Sequence, residues 1–155
     1  MEKLLNLDAP KIMQYQRNRY PVLLLDMVTE VVPGEYAKSY KFFTYNEHFF
    51  QGHFDDEPNV PGFIQMEVLA QTFIMTFLTF EEHKGKKTAF VKADNVTFRR
   101  KIVPGECMEV FAQLMSFKRG VARGHVISTV KGEEACSADF IICIPDIVKS
   151  MSPHI

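Results

Sequence analysis

One stretch of this chain constrains its fold more than any other: an apolar segment with no solvent face. From Pro61 onward a helical pattern begins, and Phe63, Ile64, Leu69, Ala70, Phe73, Ile74 and Phe77 fall on several faces of it, with Glu67 among them. A helix that is apolar nearly all round must be covered on every side. It is not a membrane span. No apolar run reaches roughly 18 residues, and the longest, Val68 to Phe80, is broken by Gln71 and three threonines. The rest of the chain must therefore wrap this helix.

The flanking segments are suited to that. Val22 to Val32 and Tyr36 to Tyr45 read as strands before the helix, separated by Pro33-Gly34. Thr88–Arg100, Cys107–Phe117, Val121–Val130 and Ala135–Ile144 read as strands after it, punctuated by Pro104-Gly105, Gly120 and Gly132. The expected class is α+β, an antiparallel sheet curled around one central buried helix, since that arrangement buries the apolar surface of both elements. Asp8 followed by Pro10 predicts an N-cap and early-helix proline, with a short helix to about Gln16. Residues 145–155 read as a loose tail.

At 155 residues the expectation is a single domain over 1–155, and 46% hydrophobic against 24% charged residues predicts a packed core rather than disorder. The net charge of -1 argues against a general nucleic-acid binder. The first residues lack the charged-then-apolar pattern of a signal peptide, so the cytoplasm is the expected compartment. Cys107, Cys136 and Cys143 have neither disulfide-framework nor zinc spacing and read as core or half-buried thiols.

Residues 46–60 form a long loop without clean period, and long ordered loops in compact domains are often functional. His53 lies there; its ordinary pKa near neutrality suits a general base, although a surface or structural role, as expected for His48, His83, His125 and His154, is the plainer alternative. Glu67 is the odder residue. A carboxylate among Ile64, Met66, Val68, Leu69 and Ala70 is costly unless paired, and desolvation favours its neutral form, the form a general acid needs. A solvated stripe or a structural hydrogen bond remains the alternative. Pro61-Gly62 opens the helix, where free N–H groups can stabilise an oxyanion. Gln71, four residues after Glu67, shares its helix face and either orients the carboxyl group or packs near a neighbour. Arg99-Arg100-Lys101 is either a solvated sheet edge or a docking patch for an acidic carrier or phosphate. No phosphate loop, zinc spacing or nucleophile elbow is present, and no metal is expected.

These residues carry a family resemblance. The segment NEHFFQGHF (46–54), Pro58, Pro61-Gly62, Glu67 and Ala70-Gln71 resemble the catalytic loop and helix of the 3-hydroxyacyl-[acyl-carrier-protein] dehydratases of the FabZ type, which have the hotdog fold. RYPVLLLD (19–26), FRR (98–100) and VPGE (103–106) are similar as well, so the resemblance spans about residues 10 to 145. Glutamate rather than aspartate at position 67 points to the FabZ rather than the FabA type. Two departures stand out: Asp55-Asp56 where Pro-Gly is usual, and Gln65-Met66 where aliphatic residues are usual.

The resemblance implies a lyase converting a (3R)-hydroxyacyl-carrier thioester to the trans-2-enoyl thioester and water. His53 would remove the proton next to the carbonyl and Glu67 would protonate the departing hydroxyl, with Phe54, Gly62 and Gln71 contacting substrate. It implies no cofactor, an acyl carrier protein partner docking at Arg99, Arg100 and Lys101, and a homodimer with shared sites, sometimes a trimer of dimers. The rival readings are a hotdog acyl thioesterase and a non-catalytic acyl-binding subunit of a heteromeric dehydratase.

Overall fold

The computed structural model describes residues 2–151. Strand β1 (Leu4–Asp8) runs into helix α1 (Ala9–Tyr15). Asp8 caps that helix as its position predicts: its carboxylate accepts from the Lys11 N–H at 3.2 Å, and Pro10 sits in the first turn, where a missing N–H is harmless. Strands β2 (Met27–Val32) and β3 (Tyr36–Phe43) follow, then the long loop and helix α2 (Gly62–Leu78). Strands β4 (Ala89–Phe98), β5 (Glu106–Lys118), β6 (Val121–Val130) and β7 (Glu133–Cys143) lead to helix α3 (Pro145–Met151).

The seven strands form one antiparallel sheet in the order β1-β2-β3-β5-β6-β7-β4. Two-residue turns, Arg119-Gly120 and Lys131-Gly132, join β5 to β6 and β6 to β7; both residues of each have positive φ, the geometry that matches strand twist. Strand β4 comes out of sequence order and lies at the sheet's edge beyond β7.

The sheet curls around α2, which packs against β2, β3, β5, β6 and β7 and is buried without a break from Val68 through Leu78. Its threonines are tolerated because each hydroxyl bonds back to the helix: Thr72 to the Val68 carbonyl (2.9 Å), Thr76 to Phe73 (2.7 Å) and Thr79 to Met75 (2.6 Å). Phe73 seats directly on β6, because a Cβ at Gly124 would overlap both its ring and the Gln113 carbonyl. This is the α+β hotdog arrangement expected from the apolar helix and its strand-rich flanks. Among the described residues no helix is long and apolar enough to cross a membrane.

Three expectations need correction. Residues 22–25 are not strand: the chain turns at Arg19–Leu23, and the Val22 carbonyl and Leu24 N–H bond to the Gln71 side chain instead of a neighbouring strand. Strand β1 escapes the pattern because Asn6 takes φ 52° and breaks its alternation. Residues 145–151 of the supposed tail are helix α3, whose Ile147 packs against the core beside the Gly120 turn. Residues 152–155, His154 among them, lie outside the described residues.

Candidate active site

The loop that carries His53 is pinned at several points. Phe50 is buried in the core, the Val60 N–H donates to the Ile102 carbonyl (2.8 Å), and the Asn59 N–H donates to the His53 carbonyl (2.9 Å). A Lys101–Glu57 ion pair at 3.0 Å ties the exposed acidic end to the segment after β4. His53 is half-buried and its ring stacks on Phe54 at 4.5 Å; the peptide between them is cis. Its Nδ1 lies 3.0 Å from the Asn59 carbonyl. A carbonyl only accepts, so Nδ1 carries the proton in the neutral ring, and the Nε2 lone pair is free to take one.

Helix α2 begins beside this loop. Pro61 at its N-cap has no side chain that can cap; the Ile64 and Gln65 N–H groups donate to its carbonyl (3.1 and 3.2 Å), and those of Gly62 and Phe63 precede the first intrahelical bond. Glycine at 62 has a local reason: a Cβ there would sit 3.0 Å from the Phe98 ring. His53, Gly62 and Phe98 line a cavity of about 440 Å³, with Arg99, Arg100 and Lys101 also in its wall.

Glu67 lies one and a half turns further along, half-buried. Burial raises its carboxyl pKa, and a hydrogen bond from Gln71 Nε2 to Oε1 at 2.9 Å acts in the opposite direction. Gln71 is itself fully engaged. Its Nε2 also donates to the Val22 carbonyl (2.7 Å), its Oε1 accepts from the Leu24 N–H (2.9 Å), and its main-chain carbonyl accepts from Gln16 Nε2 (3.1 Å). The amide cannot turn away without breaking these bonds, so it sets the direction of the Glu67 carboxyl. Glu67 lines a cavity of about 480 Å³ with Phe63, Met66, Phe90 and Val91, and a smaller one of about 120 Å³ with Asn18 and Gln71.

One chain thus brings Glu67 to Gln71, and His53 to Phe54 and Gly62, while the two titratable groups line different cavities. The three basic residues are already paired. Arg99 meets Glu134 at 2.7 Å, Arg100 grips the buried Glu106 in a two-pronged bridge (3.0 and 2.9 Å), and Lys101 holds Glu57. Arg100 therefore has a structural task, and Arg99 and Lys101 are the exposed ones. The other described histidines pair locally: His83 with the Phe77 carbonyl, His125 with Asp139, and His48 against the Phe49 ring. Cys136 is buried, with its thiol pushed up to about 12, and Cys107 and Cys143 are half-buried; all three are free thiols. Sequence reading missed Gln16 and Asn59, which hold the site through side-chain or main-chain bonds that leave no periodic trace.

Known proteins resemble this chain in sequence and in fold. Residues 17–139 match the FabA-like domain. A 3-hydroxyacyl-[acyl-carrier-protein] dehydratase FabZ of Clostridium novyi is 39% identical over 138 residues, covering 89% of this chain and 97% of that relative. The chain belongs to the FabZ-type dehydratase family. A second member, from Acetivibrio thermocellus, is 40% identical over 132 residues, covering 85% of this chain and 90% of the relative. Among solved structures, the dehydratase heterocomplex ApeI:P from Xenorhabdus doucetiae superposes with a TM-score of 0.76 at 11% identity, covering 92% of this chain and 97% of that one. A hypothetical thioesterase with coenzyme A from Streptococcus pneumoniae superposes at 0.55 with 10% identity, covering 73% and 80%. At such identities these two share the fold with the family and carry nothing about its chemistry.

Proposed function

We propose that this chain dehydrates (3R)-hydroxyacyl-[acyl-carrier-protein] to the trans-2-enoyl thioester in acyl-chain biosynthesis, as a hydro-lyase without metal or organic cofactor. The observation that carries the reading is Glu67, a carboxyl held toward its neutral form by burial and aimed by Gln71, in a chain whose relatives bear that name. His53 Nε2 takes the proton from the carbon next to the thioester carbonyl. The carbonyl oxygen gains negative charge, which the Gly62 N–H stabilises at the uncapped start of α2. The C–O bond at carbon 3 breaks, and Glu67 gives its proton to the leaving hydroxyl, which departs as water. Phe54 packs under the His53 ring and bounds the acyl group.

His53 and Glu67 face different cavities, so the reading includes a homodimer in which His53 of one protomer works with Glu67 of its partner. The surface for this is the β4 edge, where Phe90, Val91 and Phe98 are exposed, and Phe63 on α2, which is 73% exposed. An apolar, unpaired strand edge of this kind is covered in a stable assembly. Three such dimers together would make the larger family assembly. Arg99 and Lys101, at the cavity of His53, would meet the acidic carrier, and the cytoplasm is the compartment proposed.

Hydration of crotonyl thioester, followed as loss of enoyl absorbance, tests the chemistry. Wild type is expected to be active, and His53→Ala and Glu67→Gln each to lose roughly 10²–10⁴-fold, the usual contribution of one acid–base step. Full activity in Glu67→Gln would refute the assignment. Release of free thiol from a saturated acyl thioester would favour the thioesterase, and an inactive wild type that binds a related subunit tightly would favour the non-catalytic subunit.

A further inference from the structure

Gln65 is the other polar side chain buried in the first half of α2. It is only 4% exposed. It lines the same cavity as His53 and Gly62, with Val60 beside it and Arg99 and Lys101 in the wall. Its Nε2 donates to the Val60 carbonyl through a long bond of 3.4 Å. That bond decides which end of the amide is which, and leaves Oε1 buried with no hydrogen-bond partner among the described residues.

A buried acceptor without a donor is unfavourable, and native proteins keep few of them. The terminal torsion of a glutamine is soft, and among the described residues one long bond resists its turning. A donor arriving in the cavity can therefore bring Oε1 into a hydrogen bond that the free protein lacks. An aliphatic residue at this position would fill the same space and offer nothing of the kind.

We infer that Gln65 is a specificity-determining residue, whose Oε1 accepts a hydrogen bond from a donor on the substrate bound in the His53 cavity. The inference builds on the dehydratase reading and deepens it. A 3-hydroxyacyl thioester on a pantetheine arm offers two sources of such a donor, the 3-hydroxyl and the amide N–H groups of the arm. Either one makes the cavity selective against a ligand that presents only apolar surface there, because the buried acceptor then stays unpaired.

The test uses the full chain, with Gln65→Met, which conserves volume, and Gln65→Leu, the aliphatic alternative. KM and kcat are measured with four thioesters: 3-hydroxybutyryl and crotonyl groups, each on pantetheine and on ethanethiol. A KM rise of roughly tenfold, with kcat little changed, is the expected size for one lost neutral hydrogen bond. If the arm is the donor, KM rises for both pantetheine thioesters and for neither ethanethiol thioester. If the hydroxyl is the donor, it rises for both 3-hydroxybutyryl thioesters and for neither crotonyl one. Thermal unfolding supplies the readout a structural role would move the other way: both variants should melt at or above the wild-type temperature, since an unpaired buried acceptor has been removed. Unchanged KM across all four, or a KM rise that appears only with a lowered melting temperature, overturns the inference while an active wild type leaves the dehydratase reading standing. A wild type that turns over none of the four removes that reading and this inference with it.

Discussion

In the proposed reaction Glu67 has to hold a proton, and its surroundings favour this. Burial raises the Glu67 pKa, so the acid stays neutral to higher pH than an exposed glutamate would. Activity should fall on the alkaline side as pH rises through that raised pKa. Gln71→Met removes the hydrogen bond that favours the carboxylate, so the alkaline limb of a pH–rate profile should move to higher pH while kcat falls with the lost orientation. An unmoved limb would mean that Gln71 does not act on Glu67. At the cavity wall, Arg99→Glu combined with Lys101→Glu should raise KM for carrier-linked substrate at low salt and leave pantetheine thioesters unaffected. Arg100 belongs to a different category. Its loss leaves the buried Glu106 with Lys131 at 3.7 Å and the Val103 N–H at 3.0 Å, and Arg100→Ala should cost about 2 kcal/mol in urea unfolding, below the full value for a buried pair because Arg100 is partly exposed. Glu67 was legible in the sequence because a charged residue in an apolar helix is out of place. Gln71 was legible as sharing its face. The Arg100–Glu106 bridge was not, since a basic run after a strand reads equally well as a solvated edge.

Helix α2 is the element on which everything else is hung. From Val68 to Leu78 it is buried on every side, so the sheet must come close to it, and β6 does so through Gly124. Gly124→Ala places a methyl group into the Phe73 ring and the Gln113 carbonyl, and should cost about 2–3 kcal/mol as overpacking, which for a chain of this size is roughly 5–10 °C in melting temperature. A melting temperature equal to wild type would show that Phe73 can move aside freely. The strands after α2 were legible because turn glycines and alternating residues punctuate them, and Val121–Val130 has its predicted bounds. Segment 22–25 was not. Its apolar β-formers satisfy any strand pattern, and only the Gln71 amide, 47 and 49 residues away, decides that its backbone bonds go to a helix side chain. The same holds for α3, too short and polar to announce itself, which forms because Ile147 finds the Gly120 turn.

At the scale of the molecule, the sheet ends on an apolar edge and the two catalytic candidates look into separate cavities. The proposed homodimer would account for both. The proposed sharing of sites makes a prediction that no single-chain site can meet: unfolding and refolding His53→Ala and Glu67→Gln together should restore activity, although each is inactive alone. In a mixed dimer one of two sites keeps both residues, and half the dimers are mixed, so recovery should approach about a quarter of wild type. No recovery, with mixed dimers shown to be present, would place both residues in one protomer's site. Charge introduced at the edge, as in Val91→Lys, should yield folded monomers without activity, read by sedimentation and circular dichroism.

The amino-acid order by itself determined that one helix is buried, that long antiparallel strands surround it, and that His53 and Glu67 are the groups to examine. Those properties follow from local pattern: apolar period, turn residues, and a charge where none belongs. Tertiary structure alone decided which strand lies at the open edge, that Gln71 ties three segments together, that Arg100 is held by Glu106, and that Gln65 keeps an acceptor without a donor among the described residues. Each of these depends on groups distant in sequence or on the one packing that brings them within hydrogen-bond reach, and no periodicity encodes such a distance.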